Sequence, residues 1–74
     1  MNKQRRKRLE KVFDLISEAN DILEEVKCEE EESLDNLPDS FRYGERGQEM
    51  QNYIDTIDEA AGYLEDASSV IEQV

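Results

Sequence analysis

The sequence contains no histidine and no tryptophan, one cysteine, one proline and three glycines. Each shortage excludes something. Acyl transfer needs a nucleophile with a base beside it, and Ser40, Ser68 and Ser69 have none in sequence. Carboxylate metal sites in helical bundles add a Glu-x-x-His element, which a chain without histidine cannot supply, and the EF-hand loop pattern is missing. The lone Cys28 forms no internal disulfide, so nothing points to a secreted, stapled fold. Apolar runs stop at two or three residues, too short for a transmembrane span or a signal-peptide core. No catalytic residue, metal or cofactor is expected, no membrane partner, and a cytoplasmic location is the default.

Cations are scarce except at the start. Residues 1–11 carry Lys3, Arg5, Arg6, Lys7, Arg8 and Lys11 against Glu10 alone, a local charge of +5. Residues 12–74 hold only Lys27, Arg42 and Arg46 against nineteen acids, a charge of −16, so the whole is −11. A basic head on an acidic body results, and the body repels DNA and anionic membrane, which makes nucleic acid an unfavoured partner. The head, Lys3, Arg5, Arg6, Lys7 and Arg8, has two readings. It is an arm that contacts phosphate, or it balances acids on the second helix or on a neighbouring molecule. The −16 of the remainder favours balance. Glu29-Glu30-Glu31-Glu32 reads as a solvated helical face.

What the chain does have is two apolar seams at helical spacing. The first is Leu9, Val12, Phe13, Ile16, Ala19, Leu23 and Val26; the second is Met50, Ile54, Ile57, Ala61, Leu64, Ile71 and Val74. With Leu9 at heptad position a, Leu9, Ile16 and Leu23 fill a, and Val12, Ala19 and Val26 fill d. Phe13 and Leu34 fall at e, Leu15 and Ile22 at g, and Cys28 on the outer face. Tyr53, Ala60, Ala67 and Val74 widen the second seam. Faces this broad suit a bundle more than a two-stranded coil. The spacing predicts a helix over about residues 8–35, a hinge over 36–44 and a helix over about 45–73, in one domain over 1–74 with residues 1–8 as the head. Similar lengths and a short connection give an antiparallel hairpin.

In the hinge, Leu37 precedes Pro38 and is pushed out of the helical region, and Pro38 can open a short helical turn. Leu37 and Phe41 are spaced to plug the bundle end. Gly44 is a candidate N-cap, and Gly44 and Gly47 could let a backbone approach closely. Phe41, Arg42, Tyr43 and Arg46 form the candidate recognition patch, because Tyr, Phe and Arg dominate interface energetics. The competing reading is that the aromatics cap the core while the arginines pair with nearby acids.

The run Leu34-Asp35-Asn36-Leu37-Pro38-Asp39-Ser40-Phe41, with Glu45-Arg46-Gly47-Gln48-Glu49-Met50, Ile54-Asp55 and Leu64-Glu65-Asp66-Ala67, resembles small acidic helical proteins encoded in the genomes, prophages and mobile elements of gut-type Gram-positive bacteria. The resemblance covers roughly residues 5–74. It implies a helical, mobile-element-associated protein and brings no catalytic residues with it. Where that family often has a serine before the Glu-Arg pair, this chain has Gly44.

Chains of this size rarely draw much stability from one core. The seam residues Leu9, Val12, Phe13, Ile16, Leu23, Val26, Met50, Ile54, Ile57, Ala61, Leu64 and Ile71 are therefore expected to be covered by a second copy, a dimer being favoured, or by a protein partner. The leading functional expectation is a non-catalytic interaction or structural module. The alternatives are a mobile-element inhibitor whose acidic surface imitates nucleic acid and blocks a host DNA-binding or defence protein, and a nucleotide or RNA binder using Arg42 and Arg46.

Overall fold

The computed structural model describes residues 1–74 as three helices: α1 over Lys3–Asp35, α2 over Asp39–Arg42 and α3 over Glu45–Ile71. There is no strand. The molecule is a rod, with Cα extents of 59 × 16 × 10 Å, in which α1 and α3 pack along each other.

The helix ends follow from local chemistry. Asn2 caps α1, its side-chain oxygen accepting from the Arg5 amide at 2.9 Å. The helix therefore takes in most of the basic head and begins five residues earlier than the spacing suggested. It ends where the Asn36 and Leu37 amides donate back to Glu32 and Leu34, just before Pro38. Proline does not enter α2; it caps it, and its carbonyl accepts from Phe41 and Arg42 at 2.9 Å. Gly44 is the N-cap of α3 without a side-chain bond, and Glu45 in the first turn favours the positive end of the helix dipole.

Gly47 is the tightest point of the hinge. A Cβ there would lie 1.9 Å from the Arg42 carbonyl oxygen, so only glycine lets α2 lie against the first turn of α3. No residue has a positive φ. Gly47 is needed for space, not for a left-handed backbone.

The seam on α3 runs Gly47, Met50, Ile54, Ile57, Ala61, Leu64, Ser68 and Ile71, alternating three and four residues apart, and all are buried or half-buried. On α1 the rows facing α3 are Leu9, Ile16, Leu23 and Glu30 with Phe13, Asn20, Lys27 and Leu34. This corrects one expectation. Val26, placed in the seam with Val12 and Ala19, is 43% exposed. Hydrophobicity drew the count to that row, whereas the row that meets α3 contains two polar residues. Lys27 reaches Asp58 at 2.8 Å across the seam. The Asn20 side-chain oxygen is shielded from water and has no hydrogen-bond partner. Val74 is exposed beyond the end of α3.

Candidate functional site

No helix is long and apolar enough to cross a membrane, and no cluster of three or more metal-ligating side chains is present. The concavities are shallow. One, of about 250 Å³, lies at the open end between Leu9, Phe13 and Ile71. Another runs along the hinge between Leu34, Arg42, Tyr43 and Gln51.

The hinge residues are largely occupied with one another. Arg42 is half-buried. It donates to the Asp35 carbonyl at 3.5 Å and to the Tyr43 hydroxyl at 3.3 Å. It also pairs with Asp39 at 3.7 Å and lies 5.3 Å from the Tyr43 ring centre. The bond to Tyr43 and the charges of Asp39 and Asp35 all favour its charged form. Arg46 pairs with Glu49 at 3.7 Å. Leu37 is half-buried, but Phe41 points outward and is 56% exposed. The expected plug is thus Leu37 without Phe41, because the turn of α2 carries the ring away from the seam.

In the basic head Lys3, Arg5, Arg6, Lys7 and Arg8 are all exposed. The ion pairs of the molecule use Lys27, Arg42 and Arg46 only. The head does not balance the acids of α3 by direct contact.

Cys28 is exposed on the outer face. Partial removal from water, with Glu24 close by, pushes its thiol up from the ordinary value, and its sulfur lies 3.7 Å from a Glu24 carboxylate oxygen. Both disfavour the nucleophilic thiolate.

The largest feature is a second pair of apolar stripes. On α1, Val12, Leu15, Ala19, Ile22 and Val26 recur at three and four residues. On α3, Tyr53, Ala60, Tyr63, Ala67 and Val70 do the same, with Thr56 in the series. Each stripe trails its own seam by about a quarter turn in the same rotational sense. In an antiparallel pair, equal rotation from the seam brings both stripes to the same side. The ion pair between the helices agrees: Lys27 and Asp58 meet on the opposite side. Of the ten large apolar side chains left exposed, six stand on this one broad face: Leu15, Ile22, Val26, Tyr53, Tyr63 and Val70. Its tyrosines are steadied from their own helix, Tyr53 donating to Glu49 at 2.6 Å and Tyr63 to Glu59 at 3.3 Å.

The opposite broad face has no large apolar residue. Its rows are Glu10, Ser17, Glu24 and Glu31 on α1 and Gln51, Asp58, Glu65 and Glu72 on α3. The hairpin is therefore itself amphipathic, a property set by the residues outside the seam. The sequence signal for this was the breadth of each apolar face: Leu15 and Ile22 on one helix, Tyr53, Ala60 and Ala67 on the other.

No family model, curated protein or solved structure matches the chain, so the likeness to mobile-element proteins rests on the quoted residues alone.

Proposed function

We propose that this chain is a non-catalytic association module that works by burying its apolar face against another protein surface. The seam residues of α1 and α3 face each other within the hairpin, Gly47, Met50 and Ile54 fully buried and the others half-buried. The surface left to associate is therefore the outer pair of stripes. One observation carries the reading: six exposed large apolar side chains are gathered on one face while the opposite face has none. Scattered surface apolar residues are ordinary, but a contiguous patch of this kind marks an interaction site. The absence of histidine and the raised thiol of Cys28 fit a role without chemistry.

Sedimentation equilibrium tests it. The chain is expected to sediment heavier than a monomer at about 10 µM, and Leu15→Glu with Ile22→Glu to return it to monomer with helix content kept, since both positions are solvent-facing in the hairpin. A monodisperse monomer at about 100 µM that also fails to change its mass with the double variant would overturn the self-associating form of the reading.

The acidic face supports a second reading, an inhibitor that imitates nucleic-acid charge, since its rows carry six carboxylates and only Lys27 bridges to them. A basic DNA-binding partner retained at low salt and released by about 0.5 M salt would favour it. Retention of none at low salt dismisses it.

A further inference from the structure

The association reading leaves open what covers the apolar face, and the order of residues along α1 answers it. Reading the stripe from one end gives Arg8, Val12, Leu15, Ala19, Ile22, Val26 and Glu29. The series is symmetric in size about Ala19 and antisymmetric in charge. We propose that the occupant is a second copy of this chain turned end for end, with a two-fold axis passing through the face beside Ala19. In that arrangement α1 lies over α1 and α3 over α3, each pair antiparallel. Arg8 meets Glu29, Val12 meets Val26, Leu15 meets Ile22, and Ala19 meets Ala19. The smallest residue of the stripe sits where the two backbones must come closest.

Two independent observations converge on this geometry. The first is the register of α3. Within the hairpin, Lys27 reaches Asp58 at 2.8 Å and Phe13 lies beside Ile71. A two-fold beside Ala19 on α1 therefore falls near Glu65 on α3. About that point Tyr63 comes over Ala67 of the other copy, and Val70 over Ala60, large on small. Nothing in the α1 series required this.

The second is the direction of charge. Helix α1 has no acid in its first turn and no base in its last. Arg5, Arg6, Lys7 and Arg8 stand near its positive end and Glu29 to Glu32 near its negative end, both against its own macrodipole. An end-for-end neighbour supplies each end with the charge it lacks. It also explains why the basic head finds no ion pair within its own chain. The other way of pairing the same faces, with like ends together, would put α1 over α3, bring two basic heads to one end and leave Arg5 and Arg8 without acids on the face.

Size sets the strength of the pair. About Ala19 the α1 stripes overlap over about 36 Å, but α3 ends at Ile71, so it overlaps its mate only from about Glu59 to Ile71, roughly 18 Å. At about 10 Å per helix the copies cover on the order of 500 Å² each, at the small end of specific interfaces, and Tyr53 stays outside the contact.

Disulfide trapping tests the orientation, and it rests on the association reading only in needing a dimer to trap. In a Cys28→Ser background, Ala19→Cys is expected to give a covalent dimer in high yield under mild oxidation, while Ser17→Cys, on the opposite face, gives little. If sedimentation shows a dimer but Ala19→Cys does not cross-link, the end-for-end arrangement is wrong and the association reading stands. If the chain is a monomer, both fail. Charge exchange provides a second measurement. Arg8→Glu alone is expected to weaken the dimer about tenfold, because two symmetric pairs become repulsive at once. Glu29→Arg does the same, and the double exchange restores the original affinity. Arg8→Glu favours the α1 dipole, so a weaker dimer would not reflect a damaged helix. Single exchanges that leave affinity unchanged, or a double exchange that fails to restore it, would overturn the proposed register.

Discussion

At the hinge end of the hairpin, Gly47, Met50 and Ile54 are buried; at the open end, Leu9, Phe13, Leu64 and Ile71 occupy the same kind of seam position and remain half in water. The repeat is the same, three and four residues, along both helices. The difference is a third wall. At the hinge end α2 folds back against α3, with the Arg42 backbone set against Gly47, whereas from Leu23 to the open end there are only two helices. Two rods in contact can cover only part of each other's apolar face, so full burial needs a third element. The hinge supplies it from within the chain. Elsewhere the chain has nothing left to supply, and there the second apolar stripe begins.

This contrast can be broken most directly at its deepest point. Ile54→Ala is expected to cost roughly 2–4 kcal/mol, the range for truncating a fully buried side chain, and Ile71→Ala about half as much, because Ile71 is only partly covered. Urea unfolding at one fixed protein concentration checks the ratio. Equal losses would mean that the open end is as well covered in solution as the hinge, by a partner. Hydrogen exchange on the same samples is expected to show protection falling from Ile54 toward Ile71.

The hinge wall itself is broken by Gly47→Ala. The new methyl would sit 1.9 Å from the Arg42 carbonyl oxygen, which is backbone and cannot step aside as a side chain can. A loss of about 1–3 kcal/mol is expected, together with release of α2 from α3. Gly62→Ala is the control, because nothing lies within 4 Å of its missing Cβ. There the gain in helix propensity, about 1 kcal/mol, is expected to raise stability. If the two substitutions behave alike, the close approach at Gly47 does not matter.

How much of this was readable beforehand depends on which residues carried the pattern. On α3 both seam rows could be counted from sequence, because Met50, Ile57, Leu64 and Ile71 are apolar at every turn. On α1 the row Leu9, Ile16 and Leu23 is clear from sequence, with Phe13 beside it, and Val12 and Ala19 are half-buried while Val26 is exposed. What the count misses is that Asn20 and Lys27 stand in the seam between Phe13 and Leu34. Periodicity weighs hydrophobicity, so it chose Val12, Ala19 and Val26, which lie toward the outer stripe. A lysine can occupy a seam because its stem packs while its ammonium reaches outward, here to Asp58; no count of apolar residues detects that. The width of both faces was visible, but not that the excess on each helix falls on one side of the hairpin. That conclusion needs the antiparallel pairing. The hinge aromatics are a case where spacing alone misled: Phe41 follows Leu37 at a helical interval, but Pro38 restarts the helix between them and turns the ring outward.

Asn20 sharpens the comparison from the middle of the rod. Its side-chain oxygen is out of contact with water and unbonded, on a seam row otherwise formed by Phe13, Lys27 and Leu34. Leaving such an acceptor unpaired costs on the order of 1–3 kcal/mol, so Asn20→Leu is expected to stabilise the hairpin by about that much. A polar residue in a helical seam can fix register. If Asn20 does so here, the leucine variant gains stability but loses sharp NMR dispersion or a single oligomeric state. Stability that falls in Asn20→Leu would show that the oxygen is bonded in solution.

The smallest effect concerns the one ion pair that ties α1 to α3. The hydrogen bond to Asp58, with the nearby charges of Asp58, Glu24 and Glu31, holds the Lys27 ammonium above its ordinary value, while partial removal from water opposes it. A group whose value is raised in the folded chain contributes stability below its unfolded value, and that contribution disappears as pH climbs through the folded one. For Lys27 the loss therefore begins near 10.5 and lies wholly on the alkaline side. Tyr53, raised first by its bond to Glu49, and Cys28, raised by removal from water, have the same sign and begin near 10.0 and 9.0. The melting temperature is thus expected to fall above about pH 9 beyond what net charge alone causes. Lys27→Met separates the bridge from the rest. It keeps an unbranched stem on the seam and leaves Asp58 half-exposed, so no buried charge is stranded. The variant is expected to melt near the wild type at neutral pH and to lose less between about pH 9 and 11. An alkaline loss identical to wild type would mean that the two rods are held at this level by packing alone, and that the bridge across the seam contributes nothing to keeping α1 and α3 in register.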